Sequence, residues 1–556
     1  MLRDDIHKAV AAALKEMGAE VPFVVERPAQ MEHGDYATNA ALAARVDARE
    51  LAEKLRIENI ERVEVVGKFI NFFLSREAIK REIETAANEK EWGSNQLYKN
   101  KQVLVEYTSP NLFKPLHIGN LVGNVLGESV SRLFEASGAE VKRINYPSDI
   151  GLTVAKGVWG LQKNGGDPRD IKALGAAYIA GNEAYEDGSA KEEIERINKA
   201  LYEDSDPQLS ALRKAGVETS RQSLDALCEM LGTKFDREFF ESEASPLGSG
   251  LVRVNEGAIF EKSDGAVVYK GEQDRLHTRV FLNSQGLPTY EAKDLGLFKL
   301  KLDAYPNFDI SITDTGAEQC EYFKVLFAVA RKVFPALGDK TLINTNHGTL
   351  KLTTGKMSSR KGNVITGESL IEDLKKEAQE KMRERELADK NKTAEQIAVG
   401  AIKYAVLKQG SGKDIIFDPG KSLSLEGDSG PYLQYARVRA LSLLRKAEQE
   451  GLLTKGEAWP SGLERPESAT FPAELFPLAR LLIHYPDAVA RAAEELEPHY
   501  VATYVTELAG AFNSWYASER VIGSKYQNYR VLLTLAVEQT LAKGLHVLGI
   551  PAPDEM

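Results

Sequence analysis

The sequence predicts a multidomain α/β plus α protein: a doubly wound, Rossmann-like domain with a parallel sheet, a small α+β domain before it and an α-helical bundle after it. Three observations predict it. At 556 residues the chain is too long for one ordinary core and suits about three or four domains. From about Gln102 to Ile371, strand-like apolar runs alternate with helical stretches, as in a sheet assembled from strand–helix–strand units. From Glu372 the apolar spacing turns almost wholly helical.

Residues 1–95 form the first unit. Leu2, Ile6, Val10 and Leu14 align on one face of a helix that Gly18 stops, and Phe69-Ile-Asn-Phe-Phe-Leu74 reads as a strand. Residues 96–371 form the Rossmann-like unit with insertions, its strands expected at Val103–Val105, Val141–Ile144 and Ile310–Ile312. Between about Lys156 and Gly250 no motif is legible, and the charge-rich stretch Glu183–Asp206 reads as a solvated helix face. Residues 372–425 read as a helical connector and 426–556 as the bundle, in which Val501, Tyr504, Val505, Leu508, Phe512 and Trp515 make a core stripe. Thr454–Pro472, with three prolines and few large apolar residues, reads as a loop within it.

Composition narrows the function classes. The 71 Lys plus Arg against 82 Asp plus Glu give a formal charge of −11. That excludes a generally basic nucleic-acid coat, although a local basic surface is enough for RNA. Two isolated cysteines, Cys228 and Cys320, offer neither a disulfide framework nor a zinc knuckle. The acidic N-terminus lacks a signal-peptide core, and no apolar run is long enough for a bilayer. These features together predict a cytoplasmic protein.

Two short segments carry chemistry. Pro115-Leu-His-Ile-Gly-Asn120 follows a strand-like run and opens an amphipathic helix through Val122, Val125, Leu126, Val130 and Leu133. Free N–H groups and the positive end of the dipole make such a terminus an anion site, and Gly119 lets a nucleotide approach the backbone. His117 and Asn120 could donate to phosphate oxygens. The second segment, Gly355-Lys-Met-Ser-Ser-Arg-Lys-Gly362, suits a cationic clamp on a triphosphate. It is not a Walker A loop, because Leu350 stands at the first glycine and Met357 follows the lysine. Each segment alone has a commonplace reading, a helix cap or a solvated loop.

Together and in this order the two resemble the HIGH and KMSKS signatures of class I aminoacyl-tRNA synthetases. Further stretches resemble the arginyl members: His33-Gly-Asp-Tyr-Ala-Thr-Asn39, Glu106-Tyr-Thr-Ser-Pro-Asn111, Gly286-Leu-Pro-Thr-Tyr-Glu-Ala-Lys-Asp294, Gly430-Pro-Tyr-Leu-Gln-Tyr-Ala-Arg437 and Phe512-Asn-Ser-Trp-Tyr516. The resemblance implies ligation of L-arginine to its tRNA through an arginyl-adenylate, with ATP as substrate, Mg2+ on the triphosphate and no zinc. It implies that residues 1–95 contact the tRNA elbow, that the final bundle binds the anticodon, and that tRNA precedes amino-acid activation. A monomer without membrane association is expected.

The resemblance assigns catalysis to His117, Asn120, Lys356, Ser358 and Ser359, and ATP binding to His117, Gly119, Asn120, Lys356, Met357, Arg360 and Lys361. It assigns arginine binding to Glu106, Ser109, Asn111, Asn120, Tyr290 and Asp294, with Tyr290 and Asp294 on the guanidinium and Ser109 and Asn111 on the α-amino and carboxylate end. A planar fork of five donors is best held by carboxylates, and Tyr290 and Asp294 are one helical turn apart. Residue by residue, the bland alternatives are a core Tyr290 and an Asp294 paired with Lys293 or Lys299. Two departures stand out: Asn120 replaces the usual second histidine, and Ser359 replaces the second lysine of KMSKS. Competing readings are a class I synthetase of another specificity, a small-molecule adenylyltransferase, and a non-catalytic tRNA-binding paralogue. The long helical C-terminal domain argues against the second and the intact Lys356–Ser359 against the third.

Overall fold

The computed structural model describes residues 2–353, 365–455, 463–464, 470–472 and 475–556. Its centre is a five-stranded parallel sheet in the order Thr341–His347, Ile310–Gly316, Gln102–Glu106, Glu140–Asn145, Arg237–Glu238. The expected strands all lie in it. Val103, Leu104 and Val105 are fully buried in the middle strand, which explains its unbroken apolar run. The chain leaves that strand toward Glu140–Asn145 on one side and later returns to Ile310–Gly316 on the other. Its C-terminal end is therefore the switch point at which doubly wound sheets bind ligands.

The N-terminal unit is a four-stranded antiparallel sheet, with Phe69–Leu74 inside it, covered by the helix Leu2–Glu16. The two ends of the chain meet. The Trp92 indole donates to Thr540 Oγ1 at 3.0 Å, Tyr36 OH to Asp487 at 2.7 Å, and Arg480 Nε to Asp35 at 2.7 Å. All six stripe residues from Val501 to Trp515 are buried in the helix His499–Ser518.

Two details add to the expected pattern. The region after Glu372, almost wholly helical as expected, carries a short strand, Ile415–Phe417, that pairs in parallel with Leu350–Leu352. A three-residue strand is too short to show a period, yet this one ties the chain just before the second signature to the connector. Within Thr454–Pro472, Thr454–Lys455 pairs with Leu463–Glu464 as a short antiparallel ladder.

The stretch without motifs is helical: Leu152–Asn164, Ile171–Glu186, Lys191–Glu203, Pro207–Leu231 and Glu241–Val254. Its last helix crosses the helix Tyr290–Ala304 at backbone contact. A Cβ on Gly248 would lie 1.7 Å from the Ala292 carbonyl oxygen, and one on Gly296 would lie 2.0 Å from that of Ala244. Only glycine permits so close a crossing. The approach sets Glu241 against Lys293 and so builds one wall of the pocket described next.

Candidate active site

The helix Ile118–Ala136 starts directly above the switch point. His117 is its N-cap, with Nδ1 accepting from Gly119 N at 3.1 Å, while Asn120 Oδ1 accepts from His117 N at 3.0 Å. This is a reciprocal capping box, and it gives Asn120 a structural reason that an anion-binding role alone did not suggest. With Nδ1 accepting, His117 carries its proton on Nε2, which is left to donate. Burial, aided by Lys114, holds its pKa below the ordinary histidine value, so the ring is neutral near pH 7. Asn120 keeps the two donors of its amide nitrogen.

The residues Lys356, Met357, Ser358, Ser359, Arg360 and Lys361 lie outside the described residues. Their flanks do not. Ile118 N donates to Ile365 O at 3.3 Å, Gly367 N to Leu116 O at 2.9 Å, and His117 forms an isolated antiparallel bridge with Thr366. The chain therefore emerges from the second signature against the first. Thr353, at the other flank, donates from its backbone to Phe417 O at 3.0 Å.

Beside the helix start lies an acidic pocket. Glu106, at the end of the middle strand, is buried and bridged by Lys301 Nζ at 2.5 Å. Glu241 is buried, accepts from Lys293 Nζ at 2.6 Å and from Ser148 Oγ at 2.8 Å. Asp294 receives the Tyr322 hydroxyl. Three carboxylates thus face two lysines, and Asp294 is the one without an ammonium. Burial pushes its carboxyl up to about 8; Tyr322 and Lys301 oppose the rise, while Glu106 and Glu241 add to it. The pKa of Lys293 is raised as well: burial disfavours its charge, yet Glu241 outweighs burial and holds it above the ordinary value. The Tyr146 hydroxyl is buried near Asp294, Glu241 and Glu106, with no hydrogen-bond partner among the described residues. A buried hydroxyl left without a partner is costly.

The other predicted arginine-site residues surround this pocket. Ser109 N donates to Asn145 Oδ1 at 3.2 Å and Ser109 Oγ accepts from Tyr146 N at 3.2 Å. Asn111 bridges in parallel to Ser148, whose hydroxyl reaches Glu241. Thr108 and Ser109 hold φ values of 71° and 35°, a left-handed kink that turns the chain sharply from Glu106 toward the helix. Tyr290 is 59% exposed at the first turn of its helix, so the alternative of a core tyrosine is wrong. The alternative pairings of Asp294 also fail, since Lys293 binds Glu241 and Lys299 binds Asp303 at 2.5 Å. The Glu106 carboxylate is engaged by Lys301.

Sequence reasoning missed Glu241, Tyr146, Tyr322, Lys293 and Lys301. It also missed the pair between the edge strand Thr341–His347 and its neighbour Ile310–Gly316, where His347 Nδ1 lies 2.7 Å from Asp314 Oδ2 and Thr345 Oγ1 donates to Asp314 at 3.0 Å. A Cβ on Gly123 of the signature helix would lie 3.3 Å from Asp314 Oδ2, so this pair abuts the second turn of that helix.

The capping box carries a prediction. Asn120→Ala removes the acceptor and should destabilise the fold by about 1 kcal/mol. Asn120→Asp keeps the acceptor but replaces the donors with negative charge, and should leave thermal unfolding near parental while slowing ATP-dependent activation by more than about tenfold. Parallel unfolding and single-turnover measurements check both.

Comparison with known proteins agrees along the whole chain. Residues 3–74 match the family model for the arginyl tRNA synthetase N-terminal domain, 82–419 that for the class I (R) tRNA synthetase catalytic domain, and 433–556 that for the DALR anticodon binding domain. An arginine–tRNA ligase of Clostridium perfringens is 30% identical over 99% of this chain and 100% of its own length. One from Borrelia hermsii is 28% identical over 100% and 99%. Among solved structures, the Thermus thermophilus arginyl-tRNA synthetase superposes with a TM-score of 0.81 at 27% identity, covering 100% of both chains.

Proposed function

The chain belongs to the arginyl-tRNA synthetase family, and on that premise we propose how its own residues carry out arginine–tRNA ligation. As a class I arginine–tRNA ligase it joins L-arginine to tRNA at the expense of ATP. The observation that carries the proposal is the pocket's one carboxyl without an ammonium: Lys301 and Lys293 match Glu106 and Glu241, while Asp294 lies beside the Tyr146 hydroxyl, which has no partner among the described residues. A guanidinium supplies the positive charge against which Asp294 ionises and a donor for Tyr146. Asp294 and Glu241 take its fork, Tyr290 closes the rim, and Ser109 and Asn111 hold the α-amino and carboxylate end.

The substrate carboxylate then faces the start of the signature helix. One of its oxygens attacks the α-phosphorus of ATP, the bond to the bridging oxygen breaks, and pyrophosphate leaves; Mg2+ brought in on the triphosphate would offset its charge. His117 Nε2–H and the Asn120 amide stabilise the growing phosphate charge, Gly119 leaves the nucleotide room to approach, and Lys356, Met357, Ser358, Ser359, Arg360 and Lys361 complete the ATP site. In the second step a hydroxyl of the terminal adenosine of tRNA attacks the arginyl carbonyl and AMP departs. No enzyme nucleophile is needed, so alignment and charge placement supply the catalysis. The capping bond gives the amide of Asn120 a structural task at the position of the usual second histidine.

Residues 426–556 take the anticodon and 1–95 the tRNA elbow, with 96–371 as the catalytic unit and 372–425 as the connector. We assign the protein to the cytoplasm as a monomer; no helix among the described residues is long and apolar enough to cross a membrane. The assignment is tested by charging total tRNA with each amino acid in turn. Arginine alone should be esterified, and charging with any other amino acid instead would overturn the specificity.

The Asp294 carboxyl makes the pH dependence specific. It must be ionised to hold a guanidinium, yet in the free protein it keeps its proton until about pH 8. The KM for arginine should therefore fall as pH rises to about 8 and level off above it, changing roughly tenfold per unit below. The KM for ATP should stay flat between pH 7 and 9, where His117 is already neutral. Steady-state kinetics over that range check both.

A further inference from the structure

Two histidine rings stand along one bare face of the signature helix. Gly119 and Gly123 are four residues apart and share that face. A Cβ on Gly119 would lie 2.8 Å from the His117 ring, and one on Gly123 would lie 3.2 Å from Cε1 of His347. The step between the two glycines is about 6 Å along the helix axis. The mechanism above uses the first ring, at the phosphates, and leaves the second without a task.

His347 ends the edge strand, and the neighbouring strand holds it in place. Its Nδ1 lies 2.7 Å from Asp314 Oδ2, while Thr345 Oγ1 donates to Asp314 Oδ1 at 3.0 Å. The Asp314 side chain is 1% exposed and that of His347 20%, so a buried acid fixes the orientation of a ring that stays partly open. Nε2 makes no hydrogen bond to any described residue. Burial works against charge on the ring, but Asp314 and then Glu318 outweigh burial and hold the His347 pKa above the ordinary histidine value. Two carboxylates around one imidazolium leave no net positive charge, which makes the pair a poor phosphate site. Nε2 donates when the ring is charged and accepts when it is neutral, and a hydroxyl is a partner that suits both states. We propose that His347, positioned by Asp314, is a further binding residue for ATP, its Nε2 hydrogen-bonded to a ribose hydroxyl. The inference rests on the reading that His117 and Asn120 take the phosphates: the ribose is the part of ATP joined to the α-phosphate, and His347 stands one turn from His117 along the same bare face.

The test uses the full-length enzyme charging arginine tRNA with ATP, 2′-deoxy-ATP or 3′-deoxy-ATP. The parent, which needs no substitution to be informative, should prefer ATP over at least one deoxy analogue by about tenfold in kcat/KM. His347→Ala should raise the KM for ATP by about that factor, leave the KM for arginine within about twofold and abolish the preference. His347→Gln keeps a donor and an acceptor and should restore part of it. Asp314→Asn should lower the preference less than His347→Ala does, together with a lower pKa of the His347 ring read by NMR. A parent that uses both deoxy analogues as well as ATP overturns the contact, and so does a preference that survives undiminished in His347→Ala. A KM for ATP that climbs between pH 7 and 9 in the parent but not in His347→Ala would move the ring to a phosphate and overturn it too. The variant His117→Ala separates this contact from the reading beneath it: activation should slow while the ribose preference stays. Parental activation in His117→Ala would overturn the phosphate reading and, with it, the placing of the ribose.

Discussion

Asp294→Asn is expected to raise the KM for arginine by more than tenfold while leaving the KM for ATP and the folded state nearly unchanged. The free protein carries Asp294 protonated up to about pH 8, so near neutrality an amide replaces a group that is already neutral and of the same shape. Folding has little to lose by the exchange. Binding has much, because Glu241 and Glu106 are already paired with Lys293 and Lys301, which leaves Asp294 to meet the charge that arginine brings. Truncating one side of a desolvated charge pair typically costs about 2–5 kcal/mol. The variant should also lose the rise in arginine KM below pH 8, since the titrating group is gone. Steady-state kinetics at two pH values read both effects, and an unchanged arginine KM would remove Asp294 from the pocket.

Lys356→Ala should act on the rate. Its charge matters most when negative charge accumulates on the departing pyrophosphate, and loss of one such contact costs on the order of 3 kcal/mol, roughly a hundredfold. Lys356 lies outside the described residues, but the chain that follows it returns at Ile365 to bond Ile118, at the start of the signature helix. Single-turnover formation of the adenylate should slow while arginine affinity stays within about twofold of the parent. Activation at the parental rate would dissociate the second signature from the phosphates.

What could be read from the sequence follows from how local each signal was. The three expected strands of the parallel sheet were legible because burial on both faces leaves continuous apolar runs such as Val103–Val105. The start of the signature helix was legible because a strand, a glycine and a helical stripe lie in one short stretch. The capping role of Asn120 had a signal, an amide three residues after the cap, hidden by a histidine in a position usually held by Ser, Thr, Asp or Asn. Glu241 had none. It is one of 82 acidic residues, and what makes it a pocket residue is a crossing between two helices remote in sequence, permitted by Gly248 and Gly296. Lys301 and Tyr322 were hidden for the same reason: their partners, Glu106 and Asp294, are fixed by tertiary packing. The roles given to Tyr290 and Asp294 came from resemblance, and the residues alone favoured the wrong pairing for Asp294, with Lys293 or Lys299.

The central claim is that the pocket selects a positive charge through Asp294. Competition between arginine and citrulline tests it most directly, because citrulline has nearly the same shape but carries a neutral urea in place of the guanidinium. Binding constants for both ligands, measured with the parent and with Asp294→Asn, give the discrimination ratio. The parent should prefer arginine by more than about a hundredfold, and the substitution should lower this preference at least about tenfold. An equal preference in the two proteins would contradict it.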